Sequence, residues 1–122
     1  MSHITAAELA LWRAQGFAFN LLDVRRANVR TQHGAAIAGA HWYDPAAWLD
    51  WKDSIPSQHP VLLYCAKGHE ISQGLTATLR VLGVDARYLV GGMQGWLAEG
   101  RPVSPITAPT VPTPPTAPEE TA

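Results

Sequence analysis

The chain holds one cysteine, Cys65, set among residue types that make a thiol react. It closes an apolar run, Val61-Leu62-Leu63-Tyr64, and opens a polar one, Ala66-Lys67-Gly68-His69-Glu70-Ile71, ahead of Ser72. The thiolate is the nucleophilic form, and nearby positive charge or a helix N-terminus favours it. Lys67 and His69 offer charge, and Gly68 lets a loop wrap tightly with its amides toward the sulfur. A helix capped by Ser72 would add its unpaired N–H groups and its dipole. The chemistry implied is a nucleophilic thiolate in a cradle for a small anion. Two blander readings stand beside it. A lone Cys after a buried strand is commonly a core residue. Cys65-x3-His69 could also bring two metal ligands together, but no second pair has suitable spacing and His33, His41 and His59 are scattered. No metal and no cofactor is therefore expected.

The elements that must position this thiol are legible in the pattern. Thr5-Ala6-Ala7-Glu8 has the form of a capping box, so a helix is expected over residues 6–15, with Gly16 as its stop. Phe19 to Val24 reads as a strand covered on both faces, interrupted by Asp23 near its end. Residues 25–38 show no period and read as an irregular connection. A short strand is expected over 40–43. Asp44-Pro45 then starts a helix by cap and first-turn proline, with Trp48, Leu49 and Trp51 as its buried face. Trp42 is read as core with them. Val61 to Tyr64 is the clearest strand. A helix should run from Ser72 to Leu82, burying Ile71, Leu75, Leu79 and Leu82 along one stripe, and Gly83 ends it. Residues 86–90 give another strand, and Trp96 and Leu97 a last short helix ended by Gly100. Alternating strands and helices favour an α/β sandwich with a largely parallel sheet. A thiol at the carboxyl end of such a strand stands where these sheets bind ligands.

Composition narrows the function classes. Of 122 residues 47% are hydrophobic, enough for one core, and only 16% are charged, with a net charge of −1. That balance gives no electrostatic reason to expect nucleic acid or an anionic membrane as partner. No apolar run approaches the ~20 residues of a spanning helix, and no basic-then-apolar leader opens the chain. A lone cysteine suits a reducing compartment, so a cytoplasmic protein is expected. Residues 1–103 read as one folded domain. Residues 104–122 read as a disordered Pro/Thr-rich tail of polyproline character, open to a weak proline-recognising binder.

Four segments, in order, carry a family resemblance. Leu21-Leu22-Asp23-Val24-Arg25, Ile37-Ala38-Gly39-Ala40, Val61 to Cys65, and Leu89-Val90-Gly91-Gly92-Met93-Gln94-Gly95-Trp96 resemble the successive motifs of the rhodanese family, across Thr5 to Val103. The resemblance implies a three-layer sandwich, a central mostly parallel sheet flanked by helices. It also implies a sulfurtransferase: Cys65 would take a sulfane sulfur from thiosulfate or another donor, hold it as a persulfide, and pass it to cyanide or a thiol. Loop amides from Ala66 to Ser72 would stabilise the persulfide. Asp23 and Arg25 would support the site: Asp23 would anchor nearby loops, Arg25 could pair with Glu70 at the rim, and a structural ion-pair role is expected for both ahead of direct chemistry.

The loop departs from the family pattern. Many rhodaneses carry Arg as the sixth loop residue, counting the cysteine first; here it is Glu70, followed by Ile71, and no loop Arg exists. The interval to Gly83 is one residue longer than usual, which suggests a seven-residue loop, Cys65 to Ile71, similar to that of cell-cycle phosphatases and arsenate reductases. The loop also resembles that of rhodanese-like proteins linked to chromate resistance. Phosphatases need the loop Arg to clamp an oxyanion bidentately, and Glu70 would repel the anion. A reductase would need a resolving thiol from outside the chain. An oxyanion enzyme of either kind, and a catalytically silent sensor or scaffold module, are the alternatives to sulfur transfer.

Overall fold

The protein's structure is a computed structural model, which describes residues 2–55, 58–68 and 70–106. Its elements run β1 (His3–Ile4), α1 (Ala6–Ala14), β2 (Asn20–Asp23), α2 (Ala27–His33), β3 (Ala35–Ile37), β4 (His41–Trp42), a 3-10 turn (Pro45–Ala47) and α3 (Trp48–Trp51). They continue with β5 (Val61–Tyr64), α4 (Glu70–Val81), β6 (Ala86–Leu89), α5 (Gly92–Ala98) and β7 (Val103–Pro105). Five strands form one parallel sheet in the order β1-β6-β5-β2-β4, and β3 pairs antiparallel with β7.

The period of two in a strand divides the core between the two faces of the sheet. Leu21, Leu62, Tyr64 and Leu89 pack with Ile4, Leu9, Met93 and Trp96 on the α1 and α5 side. Leu22, Val24, Val61, Leu63 and Cys65 pack with Leu79, and with half-buried Ile71, Leu75 and Trp51, on the α4 and α3 side. The expected three-layer α/β architecture is therefore present. β5 lies at its centre, and all four of its residues are buried.

The capping box forms at Thr5. Thr5 Oγ1 accepts from the Glu8 N–H at 3.1 Å, and Glu8 Oε1 accepts from the Thr5 N–H at 2.9 Å. The bond from the Thr5 backbone holds the Glu8 carboxyl below its ordinary range. Asp44 caps its turn as expected, accepting from the Ala46 N–H at 3.0 Å.

Elsewhere the structure departs from the pattern. Residues 25–38 are not irregular: they hold α2 and β3, divided by Gly34 in the left-handed conformation. α2 buries none of its residues, so no apolar period announced it. The helix expected after Asp44 is a 3-10 turn followed by one α-helical turn, with Leu49 66% exposed and Trp48 and Trp51 half-buried. Trp42 is exposed rather than core, and its Nε1 donates to the Arg25 carbonyl at 2.8 Å. Leu82 is also exposed, while Ser72, Thr76 and Leu79 are the buried residues of α4. β7 runs two residues past the boundary expected at Val103, with Ser104 opposite Ala36 and Pro105 opposite Ala35. The rest of the expected tail, from residue 107 onward, lies outside the described residues.

Candidate functional site

The sheet order alone says where a site should form. β2 and β5 are parallel neighbours, but the chain leaves β2 toward β4 on one side and leaves β5 toward β6 on the other. Connections that part in this way open a crevice beyond the carboxyl ends of the two strands. The residues after β2 are Val24, Arg25 and Arg26, and the residue after β5 is Cys65. A cavity of about 310 Å3 opens there. Cys65, Ala66, Lys67, Glu70 and Ile71 line it from the β5 side, and Arg25, Arg26 and Val29 from the β2 side.

Cys65 is buried, 6% exposed, and its Sγ lies 3.2 Å from Ser72 Oγ. Ser72 was expected as the cap of α4. Instead α4 begins at Glu70, and Ser72 sits inside its first turn, fully buried, with its hydroxyl on the sulfur. The non-helical connection is correspondingly shorter than the expected loop Cys65 to Ile71, because Glu70 and Ile71 already belong to the helix. Glu70 and Lys67 are exposed at the rim. His69 lies outside the described residues.

The connection is held from behind by the turn after β6. The Met93 N–H donates to the Cys65 carbonyl at 2.9 Å, and the Gln94 N–H to the Ala66 carbonyl at 2.8 Å. Gln73 Nε2 donates to the Gly68 carbonyl at 2.9 Å. Glycine is required on both sides of this seam. Gly92 has φ +55°, and a Cβ there would overlap the Cys65 carbonyl oxygen and stand 2.6 Å from the Gly68 nitrogen. Gly68 has φ +74°, and a Cβ on it would stand 2.7 Å from both the Gly91 nitrogen and the Leu89 oxygen. Gly68 thus shapes the connection by close backbone packing and does not face the cavity. Trp96, fully buried, closes this side of the core, its Nε1 donating to the Pro102 carbonyl at 2.9 Å.

Asp23 and Arg25 form a buried, bidentate pair. Arg25 Nε donates to Asp23 Oδ1 at 2.9 Å and its NH2 to Oδ2 at 2.7 Å, with both side chains at most 1% exposed. NH2 also donates to the Ala35 carbonyl at 2.9 Å, and NH1 lies 2.9 Å from His33 Nδ1. Arg25 therefore does not turn to Glu70 as expected, because its donors are taken by Asp23, β3 and the end of α2. Burial opposes its charge, but the hydrogen bond and charge of Asp23 outweigh that and raise its pKa above the ordinary value. The guanidinium also lies over the Tyr64 ring, 5.4 Å from the centroid. Burial pushes the Tyr64 phenol well above its ordinary range, and its hydroxyl accepts from the Ile37 N–H at 3.1 Å. Asp23 itself does not line the cavity; it fixes the arginine that does.

Two lining residues were not foreseen, Arg26 and Val29. Arg26 could have been found from its place directly after the Asp-Val-Arg run, and Val29 as the lone branched aliphatic residue among 26–33. Among the described residues, Arg26, Lys67 and Glu70 make no ion pair, so their charges face the cavity and solvent. No helix among the described residues is long and apolar enough to cross a membrane.

Comparison with known proteins agrees with the geometry. The family described as rhodanese-like domain matches residues 5–99. Among solved structures, a rhodanese-related protein from Thermoplasma volcanium is 25% identical, with a TM-score of 0.74 over 85% of this chain and 98% of that one. A rhodanese-like domain protein from Staphylococcus aureus is 25% identical, TM-score 0.70, over 79% and 91%. A protein from Lactobacillus plantarum is 19% identical, TM-score 0.76, over 85% and 88%, a likeness of fold. No curated protein sequence matches the chain.

Proposed function

The chain belongs to the rhodanese-like domain family, and from that premise we propose that it is a sulfurtransferase in which Cys65 carries sulfur as a persulfide. The observation that carries this reading is the setting of Cys65: it directly follows the central strand and lines a cavity of small-molecule size, with the Ser72 hydroxyl 3.2 Å from its sulfur. The thiolate attacks the outer sulfur of thiosulfate or a similar donor. A new S–S bond forms to Sγ, the donor's S–S bond breaks, and sulfite leaves with the electron pair. An acceptor thiolate or cyanide then attacks the outer sulfur of the persulfide, and the Sγ–S bond breaks to return the Cys65 thiolate. No electrons are gained or lost overall, so no cofactor is called for. The first-turn N–H groups of α4 and the Ser72 hydroxyl stabilise the persulfide charge, and Lys67 and Arg26 draw the anionic donor.

Hydrolysis of a phosphate ester fits less well. Arg25 spends its fork on Asp23, and the rim residue of α4 is the carboxylate of Glu70. Intact mass after incubation with thiosulfate tests the proposal. The protein should gain one sulfur atom, lose it to cyanide, and gain nothing as Cys65→Ser. A chain that stays unmodified by thiosulfate and other sulfane donors rules it out.

A further inference from the structure

A second hollow adjoins the Cys65 cavity, and its occupant follows from its shape and lining. It measures about 690 Å3 and lies between α4 and the segment holding the 3-10 turn and α3. Arg26 and Ile71 line both spaces, so the two lie side by side. Thiosulfate or cyanide would fill only part of the first. The wall of the second is mostly apolar, with Ala27, Pro45, Trp48 and Leu75; its charged residues are Asp44, whose Oδ1 is engaged by the Ala46 N–H, and Arg26, which also lines the Cys65 cavity and makes no ion pair among the described residues.

The α4 wall is one stripe of the helix: Ile71, Gly74, Leu75 and Thr78, at spacings of three and four. Gly74 stands out in it. Glycine is a poor choice for a helix interior, and one structural reason for it would be close packing. There is none: a Cβ on Gly74 would meet nothing within 4 Å, and its φ is not positive. What the missing side chain leaves is open groove.

We infer that this groove, kept open by Gly74, seats the body of the sulfur acceptor, and that the acceptor is a small thiol carrying an apolar, ring-sized body and a carboxylate, the carboxylate meeting Arg26. The inference rests on the sulfurtransferase reading and deepens it. Such a thiolate attacks the outer sulfur of the Cys65 persulfide, leaves as R–S–S−, and returns the thiolate to Cys65. Adjacency to the reactive cavity selects a thiol, the apolar wall selects its body, and the charge of Arg26 selects its anion. Gly74 and Arg26 are then specificity-determining residues.

The test loads the full chain with thiosulfate and follows discharge of the persulfide by three thiols. Mercaptoacetate has the carboxylate without the body, benzyl mercaptan the body without the carboxylate, and a mercaptomethyl benzoate both. Each variant is compared with the native chain for each thiol, which cancels the intrinsic reactivity of the thiol. Gly74→Leu should lower discharge by the mercaptomethyl benzoate at least tenfold more than discharge by mercaptoacetate. Arg26→Gln should lower it severalfold more than discharge by benzyl mercaptan. Equal losses for all three thiols, or none, overturn the inference. Leu suits a helix better than Gly, so melting of Gly74→Leu should match or exceed the native chain, and Gly74→Ala gives a smaller plug of the same kind. Calorimetric binding of the unreactive methyl thioether of the mercaptomethyl benzoate separates the two claims. If thiosulfate leaves no sulfur on Cys65, the sulfurtransferase reading fails and the acceptor role fails with it. If loading succeeds but the thioether does not bind, or binds Gly74→Leu equally well, the groove alone is overturned.

Discussion

Replacing Arg25 with Met should be among the most damaging single changes in this chain, and its cost can be worked from the pair it breaks. Asp23 is 1% exposed and loses both guanidinium donors of its bidentate contact with Arg25, keeping Arg30 Nε at 3.4 Å and the backbone N–H of residue 25 at 3.1 Å. Stranding one member of a buried pair costs about 3–5 kcal/mol. The Ala35 carbonyl also loses its donor, worth about 1 kcal/mol. With a urea dependence near 2 kcal/mol per molar, roughly that of a small domain, the unfolding midpoint should fall by about 2–3 M. Urea titration followed by tryptophan fluorescence reads it. The companion double variant, Asp23→Leu with Arg25→Met, removes both charges and should be more stable than Arg25→Met alone, because no carboxylate is left behind. If Arg25→Met stays within about 1 kcal/mol of the native chain, or if the double variant loses the sum of the two single losses, then the pair is not the coupled buried unit described here.

Three further outcomes follow from the same geometry. Ser72→Ala should slow loading of sulfur from thiosulfate about tenfold, since a hydrogen bond to a charged sulfur is worth about 1.5 kcal/mol; timed intact-mass measurement checks it, and an unchanged rate would remove Ser72 from the site. Gly92→Ala should destabilise the domain by about 3 kcal/mol or more, because φ is +55° and the added Cβ strikes the backbone that carries Cys65; urea unfolding measures this. The pKa of His33 is lowered by burial and then by the charge of Arg25, so below its ordinary 6.5 the unfolded chain binds more protons than the folded one. Stability should be whole above that pH and decline as pH falls through the lowered folded value, and His33→Gln should flatten that part of the urea-midpoint profile against pH.

What could be read in the sequence and what could not divides along a physical line. Elements whose apolar residues repeat, or whose ends carry a cap, were legible: β5 as an unbroken aliphatic run, and α1 from its Thr5–Glu8 box. α2 was not, because it buries no residue and so writes no period. β1 was not, because two residues carry no pattern; its place at the sheet edge depends on pairing with β6, far along the chain. Trp42 misled for a related reason. An aromatic side chain suggested core, whereas the structure uses its ring beside Arg30 and its Nε1 on a backbone carbonyl, leaving it partly in water. Around Cys65, the local partners were visible as a string of residues, but their roles were not. Ser72 was read as a cap from its type, and only the start of α4 at Glu70 turns it toward the sulfur.

The charge of the site shows why the contacts matter more than the inventory. Counting residues near Cys65 in sequence gives Lys67 against Glu70, close to neutral. The sheet adds Arg25 and Arg26 from β2, which would make a strongly cationic pocket if both were available. Asp23 withdraws Arg25, since its carboxylate occupies the same Nε and NH2 donors that would clamp an oxyanion. Among the described residues, Arg26 and Lys67 then stand against Glu70 at the mouth. Such a surface attracts a small anion without holding it bidentately. A donor that must deliver one sulfur and release sulfite is better served by that than by a tight oxyanion clamp, because a strongly bound product would block the second half of the cycle. On the proposed reading Arg26, which lines both hollows, would first meet the donor and afterwards orient the acceptor.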